Sequence, residues 1–213
     1  GFAAQERAEV EAGYAPMLDI ATRFAPAAVV IHGAHSATRP HERLVADTVA
    51  FLEWALARYP ALTLALENLG PDPRRIKIGT ERAEVLRIVE EIGNPRLGIC
   101  WDMGHDVLAG RHGLPDEAWL QHVCHVHVHD VDEQGVDHYP LIYGQVPYQT
   151  WLPALVRAGP SAWLRAGFAG VVTLEIKGGQ LVGLGAERVR QMLVDSVDEV
   201  RRLLTLPSSG MDS

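Results

Sequence analysis

The sequence predicts a parallel α/β fold of repeated strand–helix units, on three observations. Apolar runs of strand length alternate with longer segments of helical period throughout the 213 residues. Each strand has one large aliphatic face and one face of small residues. That second face ends in an ionisable side chain at the C-terminal end of the strand. The alternation alone fits a doubly wound open sheet or a (β/α) barrel. In a barrel the second face would point inward, and the strand C-termini would build the active site.

In chain order, residues 4–25 read as a helix that Pro26 ends, and 27–32 (AAVVIH) as a strand. His41 to Tyr59 carries Leu44, Val45, Thr48, Phe51, Leu52 and Ala55 at helical spacing, with Pro60 as the stop. LTLALE at 62–67 is a strand; Thr80 to Ile92 is a helix with Thr80 as N-cap and Gly93-Asn94-Pro95 as terminator. LGICWD at 97–102 is a strand, followed by short helical pieces near 104–110 and 115–120. His122 to Asp130 is a strand, 131–148 a long loop, Tyr148 to Ala166 a helix, and GVVTLE at 170–175 a strand. A helix from about Gly185 to Leu204 closes the domain, taken as residues 1–206, and 207–213 read as a disordered tail.

Composition narrows the function. Hydrophobic residues at 47% and charged residues at 22% are those of a globular protein. No apolar run reaches the roughly 18–20 residues of a membrane span, and no signal peptide opens the chain. The net charge of −8 argues against a broad nucleic-acid footprint. Two cysteines make no disulfide framework, so the expected compartment is the reducing cytoplasm. Five of the ten histidines fall between His122 and His138, a density composition alone does not explain.

Side chains alternate along a strand. In 62–67, Thr63, Ala65 and Glu67 oppose three leucines; in 97–102, Gly98, Cys100 and Asp102 oppose Leu97, Ile99 and Trp101. Val123, His125, His127 and His129 share a face, as do Val171, Thr173 and Glu175. Glu67, Asp102, His127 and Glu175 would therefore converge at one mouth, and His32 ends the first visible strand in the same way. Taken singly, a strand-end carboxylate serves more often as a cap or ion-pair partner; the joint pattern carries the functional reading. His125 reads as a hydrogen-bonded core residue. His122 and His129 read as strand-end or loop residues, Cys100 and Cys124 as small buried hydrophobes, and Gly33, Gly70, Gly104 and Gly144 as turn glycines.

Three carboxylates cannot share a site uncompensated. A divalent cation resolves the repulsion, and two Glu, one Asp and one His form a mixed O/N shell suited to Mn²⁺, Mg²⁺ or Co²⁺, with Zn²⁺ also accommodated. Such an ion can polarise a hydroxy-carbonyl compound, and a carboxylate on each side can move a proton between neighbouring carbons or opposite faces.

The segments VVIHGAH (29–35), LALENLG (64–70), GICWDMGHDVLAG (98–110), HVHVHD (125–130) and VTLEI (172–176) occur in this order. Together they resemble the xylose isomerase-like TIM-barrel superfamily of sugar phosphate isomerases and epimerases, ketose 3-epimerases and endonuclease IV. The resemblance runs from about residue 5 to 204. It implies that Glu67, Asp102, His127 and Glu175 are metal ligands, with Glu67 and Glu175 also the acid/base pair. It implies that His105 contacts substrate, and that His32 and His138 line the substrate pocket in the isomerase branch or bind further zincs in the nuclease branch. A small sugar is the expected partner, and self-association is common in such barrels.

Two features depart from the family pattern. The Leu-Gly-x-Gly turn reads Leu141-Ile142-Tyr143-Gly144, and Val131-Asp132-Glu133 stands where ketose 3-epimerases place an arginine. The mean step of about 36 residues between strand-end residues makes eight units roughly 286 residues long. The expectation is therefore the last five βα units of an N-terminally truncated (β/α)8 barrel, with apolar surface exposed. The leading functional expectation is a metal-dependent sugar isomerase or epimerase working through an enediolate-type intermediate, with a sugar or cyclitol dehydratase as a close variant. A zinc phosphodiesterase like endonuclease IV is the alternative, opposed by the acidic charge balance. An incomplete barrel without catalysis is the third.

Overall fold

The computed structural model describes residues 2–158 and 170–205. The chain divides into two compact units, residues 1–100 and 101–213. The alternation of strand and helix expected from the sequence is present in both.

The first unit opens with α1 (Phe2–Phe24), which ends two residues before Pro26. Strands β1 (Val29–Ile31), β3 (Leu64–Glu67) and the first residues of β5 (Leu97–Asp102) run parallel, in the register Val29 to Leu64 and Leu64 to Leu97. Every residue of β3 and β5 is buried, as strands covered on both faces must be. Helix α2 (His41–Arg58) turns Leu44, Thr48, Leu52, Ala55 and Leu56 inward at helical spacing. Its end is fastened by Arg96, whose guanidinium donates to the carbonyls of Leu56 at 2.6 Å and of Tyr59 and Leu62 at 3.0 Å. Helix α3 (Arg82–Ile92) begins later than the sequence suggests. Glu81, not Thr80, occupies the N-cap, because the Thr80 hydroxyl donates to the Lys77 carbonyl instead. Gly93 ends this helix in a left-handed conformation, φ +55°, as read from the sequence.

A small antiparallel pair, β2 (His35–Ser36) with β4 (Ile76–Lys77), escaped the sequence reading, being too short for a periodic signal. It shapes the loop after β1. Gly33 passes so close to the Ile78 carbonyl that any Cβ would collide with it, which makes Gly33 a close-approach glycine rather than a turn glycine. Helix α1 exposes Val10, Tyr14, Met17, Ile20 and Phe24, an apolar stripe at near-helical spacing.

The second unit carries the end of β5, then α4 (Met103–Leu108), α5 (Glu117–His122), β6 (Val123–Val128), α6 (Tyr148–Arg157), β7 (Val171–Leu174) and α7 (Ala186–Leu204). A 3-10 turn spans Gly178–Leu181. Strands β6 and β7 are parallel, with His127 opposite Thr173. The remainder of the helix expected to reach Ala166 lies outside the described residues, as do 206–213, which hold the expected tail. Among the described residues no helix is long and apolar enough to cross a membrane.

The long loop between β6 and α6 is organised by one buried carboxylate. Asp130 Oδ2 accepts the amides of Tyr143 and Gly144, both at 2.7 Å. Its Oδ1 accepts those of Val131 at 3.0 Å, Gln145 at 3.1 Å and Val146 at 3.4 Å. The backbone donors of the loop are thus satisfied without regular structure. The turn forms even though Ile142 replaces its first expected glycine.

Candidate active site

In the second unit the sequence-predicted residues stand at strand ends. Asp102 is the last residue of β5, His127 the penultimate residue of β6, and Glu175 follows β7 directly. His127 Nδ1 lies 2.9 Å from Glu175 Oε2 and 3.9 Å from Asp102 Oδ2. Asp102 and His127 are buried, whereas the Glu175 side chain is 41% exposed. A buried donor cluster with one open side is what a ligand entering from solvent requires.

His105 and His138 border the same cluster. His105 Nδ1 is 3.3 Å from Asp102 Oδ2, and His138 Nε2 is 3.7 Å from Glu175 Oε2. His105 occupies the first turn of α4, where its amide donates to Asp102 Oδ1 at 2.7 Å. Asp102 is therefore at once strand end, helix N-cap and site residue. His138 sits in the left-handed region at φ +62°, a strained conformation for a non-glycine residue. Its ring is held by Asp137 Oδ1, 2.9 Å from Nδ1, and Lys177 Nζ is 3.2 Å from the same oxygen. Burial pushes the Asp137 carboxyl up, but His138 and Lys177 outweigh it and hold it well below the usual carboxylate range.

His129 does more than its strand-end place suggested. It directly follows β6, at the strand end as read, but it is fully buried there, and its Nε2 lies 3.0 Å from Asp102 Oδ1 and 3.2 Å from Oδ2. The alternation of HVHVHD did put it on the same face as His125 and His127, which was the available signal. His125 is the hydrogen-bonded core residue expected, with Nε2 3.0 Å from Thr173 Oγ1. Burial pushes the Cys124 thiol up to about 12, consistent with a packing role.

In the first unit, Glu67 ends β3 with its side chain buried, and His32 follows β1. Their side chains meet, His32 Nε2 lying 3.0 Å from Glu67 Oε2, while His32 remains 65% exposed. His32 also lines a cavity of about 360 Å³ together with Tyr14, His35, Arg39, Asp47 and Phe51. The first unit thus brings together two of the seven predicted residues, and the second unit the other five.

This combination of parallel βα units and strand-end carboxylates and histidines has relatives. The family described as the xylose isomerase-like TIM barrel matches residues 1–194, and the chain belongs to that family. The fold is accordingly that of a TIM barrel, with five parallel βα strands among the described residues.

Solved structures agree. A D-tagatose 3-epimerase-like protein is 20% identical with a TM-score of 0.62, over 87% of this chain and 67% of that one. The IOLI protein, determined with a bound zinc atom, gives 16% identity and a TM-score of 0.69 over 95% and 73%. A D-psicose 3-epimerase from Clostridium cellulolyticum H10, determined with D-tagatose, gives 13% and 0.65 over 94% and 72%. At such identities the likeness is one of fold. The chain spans about two thirds of the length of the first of these structures. No curated protein matches the sequence.

Proposed function

We propose that the protein is a divalent-metal-dependent isomerase or epimerase of a small sugar or sugar-like hydroxy-carbonyl compound. The observation that carries this reading is the approach of Asp102 Oδ2, His127 Nδ1 and Glu175 Oε2 to one another in the second unit. Ligands bound at about 2.1 Å to one ion stand roughly 3.0–3.4 Å apart, and the 2.9 and 3.9 Å separations bracket that spacing. Two carboxylate oxygens and one imidazole nitrogen suit Mn²⁺, Mg²⁺ or Co²⁺, and accept Zn²⁺. Glu67 enters as the fourth ligand through its strand-end position and the family pattern. Within its own unit it is a buried carboxylate at the end of β3.

The ion, when bound, would polarise the carbonyl of the substrate and lower the cost of negative charge on it. The chain's own residues do the rest. Glu175, at the open side, takes a proton from the carbon beside the carbonyl, giving an enediolate-type intermediate. Glu67 returns a proton to the neighbouring carbon or to the opposite face. His105 and His138 orient substrate hydroxyls, and His32 does so from the loop after β1. A dehydratase follows if the intermediate instead expels a hydroxyl group.

The test is hydrogen exchange. With a panel of ketoses and aldoses in D₂O, the protein should incorporate solvent deuterium at the carbon beside the carbonyl. Glu175→Gln should abolish incorporation, and full retention would refute the assigned role.

A second reading has one observation in its favour. Ligand-type atoms of Asp102, His105, His129 and His138 lie within 4.8 Å of one another, so more than one ion is conceivable, as in a zinc phosphodiesterase. Cleavage of an abasic-site duplex distinguishes it. The net charge of −8 opposes it.

A further inference from the structure

His129 is engaged through both ring nitrogens. Its Nδ1 lies 3.0 Å from the His138 backbone nitrogen. An amide N–H can only donate, so Nδ1 must hold a lone pair and the ring proton of the neutral imidazole must sit on Nε2. The Asp130 carbonyl, at 3.4 Å from Nδ1, is the more distant neighbour. The tautomer is thus dictated by the backbone, and the Nε2–H is aimed at the Asp102 carboxylate, 3.0 Å from Oδ1 and 3.2 Å from Oδ2.

In this tautomer neither ring nitrogen of His129 has a lone pair free for a metal, which counts against His129 as a ligand in the second reading above. Its action falls on Asp102. Oδ1 of that carboxylate accepts both the His129 ring proton and the His105 amide. The His105 amide on Oδ1 and the His129 ring across the carboxylate fix its rotation, with Oδ2 3.9 Å from His127 Nδ1 and 3.3 Å from His105 Nδ1. The ring itself cannot turn. It stacks on His138 with centroids 4.2 Å apart and planes 9° from parallel, and it lies over Gly104, where any Cβ would run into it. Gly104 is therefore a close-approach glycine, not the turn glycine read from the sequence. The strained backbone of His138, at φ +62°, presents its N–H to the ring.

We propose that His129, as the Nε2–H tautomer, is the positioning residue that holds the Asp102 carboxylate in the orientation it offers to the metal, with Gly104 and the His138 amide holding the ring in place. The proposal rests on the metal reading above. Outer-shell hydrogen bonds to metal ligands are typically worth 10–100-fold in affinity.

The experiment uses the full chain in two measurements. Co²⁺ titration, followed by the d–d absorption bands, compares wild type with His129→Met, which fills the space without a donor, and His129→Gln, which places an amide nitrogen near Nε2. Long-range ¹H–¹⁵N spectra of the imidazoles in the metal-free wild type report the tautomer. The expected result is one Co²⁺ bound, affinity lowered 10–100-fold with altered bands in His129→Met, substantial recovery in His129→Gln, and a protonated Nε2 on His129. Unchanged Co²⁺ binding in His129→Met, equal losses in both variants, or a proton on Nδ1 overturns the proposal. A wild type that takes no Co²⁺ overturns the metal reading and this role with it. The metal-free spectrum still separates that outcome from a misassigned hydrogen bond, and does so even if a variant fails to fold.

Discussion

Replacing Asp130 by Asn should destabilise the second unit through the loop that Asp130 gathers. The carboxylate accepts five backbone N–H groups, two on Oδ2 and three on Oδ1. An amide has one acceptor oxygen, so in either orientation its NH₂ group faces donors. With the NH₂ at the Oδ2 position, the two 2.7 Å bonds to Tyr143 and Gly144 are lost. Charge-assisted bonds contribute roughly 1.5–3 kcal/mol each, which puts the loss at about 3–6 kcal/mol. Tyr143 and Gly144 are exposed residues, so water can re-pair their amides and the lower end, about 3 kcal/mol, is the expectation. Urea unfolding followed by tryptophan fluorescence measures it, because Trp101, Trp119 and Trp151 are buried in this unit. A loss below about 1 kcal/mol with unchanged m-value would refute the argument that this one carboxylate organises the loop.

Two further outcomes follow from the same unit. The Cys124 thiol, pushed up to about 12 by burial, should react with iodoacetamide at pH 8 on the order of 10³-fold more slowly than a free cysteine; near-free reactivity would mean that the strand opens. Asp137 has a folded pKa below its unfolded value, so its stabilisation is fully present above about pH 5, begins to be lost near pH 4 and is gone only once the pH has fallen through the lowered folded value. The urea midpoint of Asp137→Asn should therefore fall less between pH 5 and 3 than that of wild type, and parallel curves would contradict the ion pairs assigned to Asp137.

The strand-end residues were legible because the alternation of side chains along a strand carries them. Alternation along 97–102, 123–128 and 171–175 put Asp102, His127 and Glu175 at the end of the small face, and the structure brings their donor atoms together. The five main strands were readable for the same reason. What escaped depended on contacts distant in sequence. The role of His129 needs the His138 amide nine residues away and the bare Cα of Gly104. Asp130 needs amides up to sixteen residues later. Neither leaves a periodic trace. Thr80 was misread as an N-cap because its hydroxyl had a closer local partner, the Lys77 carbonyl, that composition does not reveal.

Asp102, His127 and Glu175 are proposed to bind one divalent ion, with Glu67 as the proposed fourth ligand. Elemental analysis of the desalted protein after equilibration with Mn²⁺ tests this most directly. The account predicts about one equivalent retained by wild type and none by Asp102→Ala. No retained metal in wild type, or equal retention in Asp102→Ala, would contradict it.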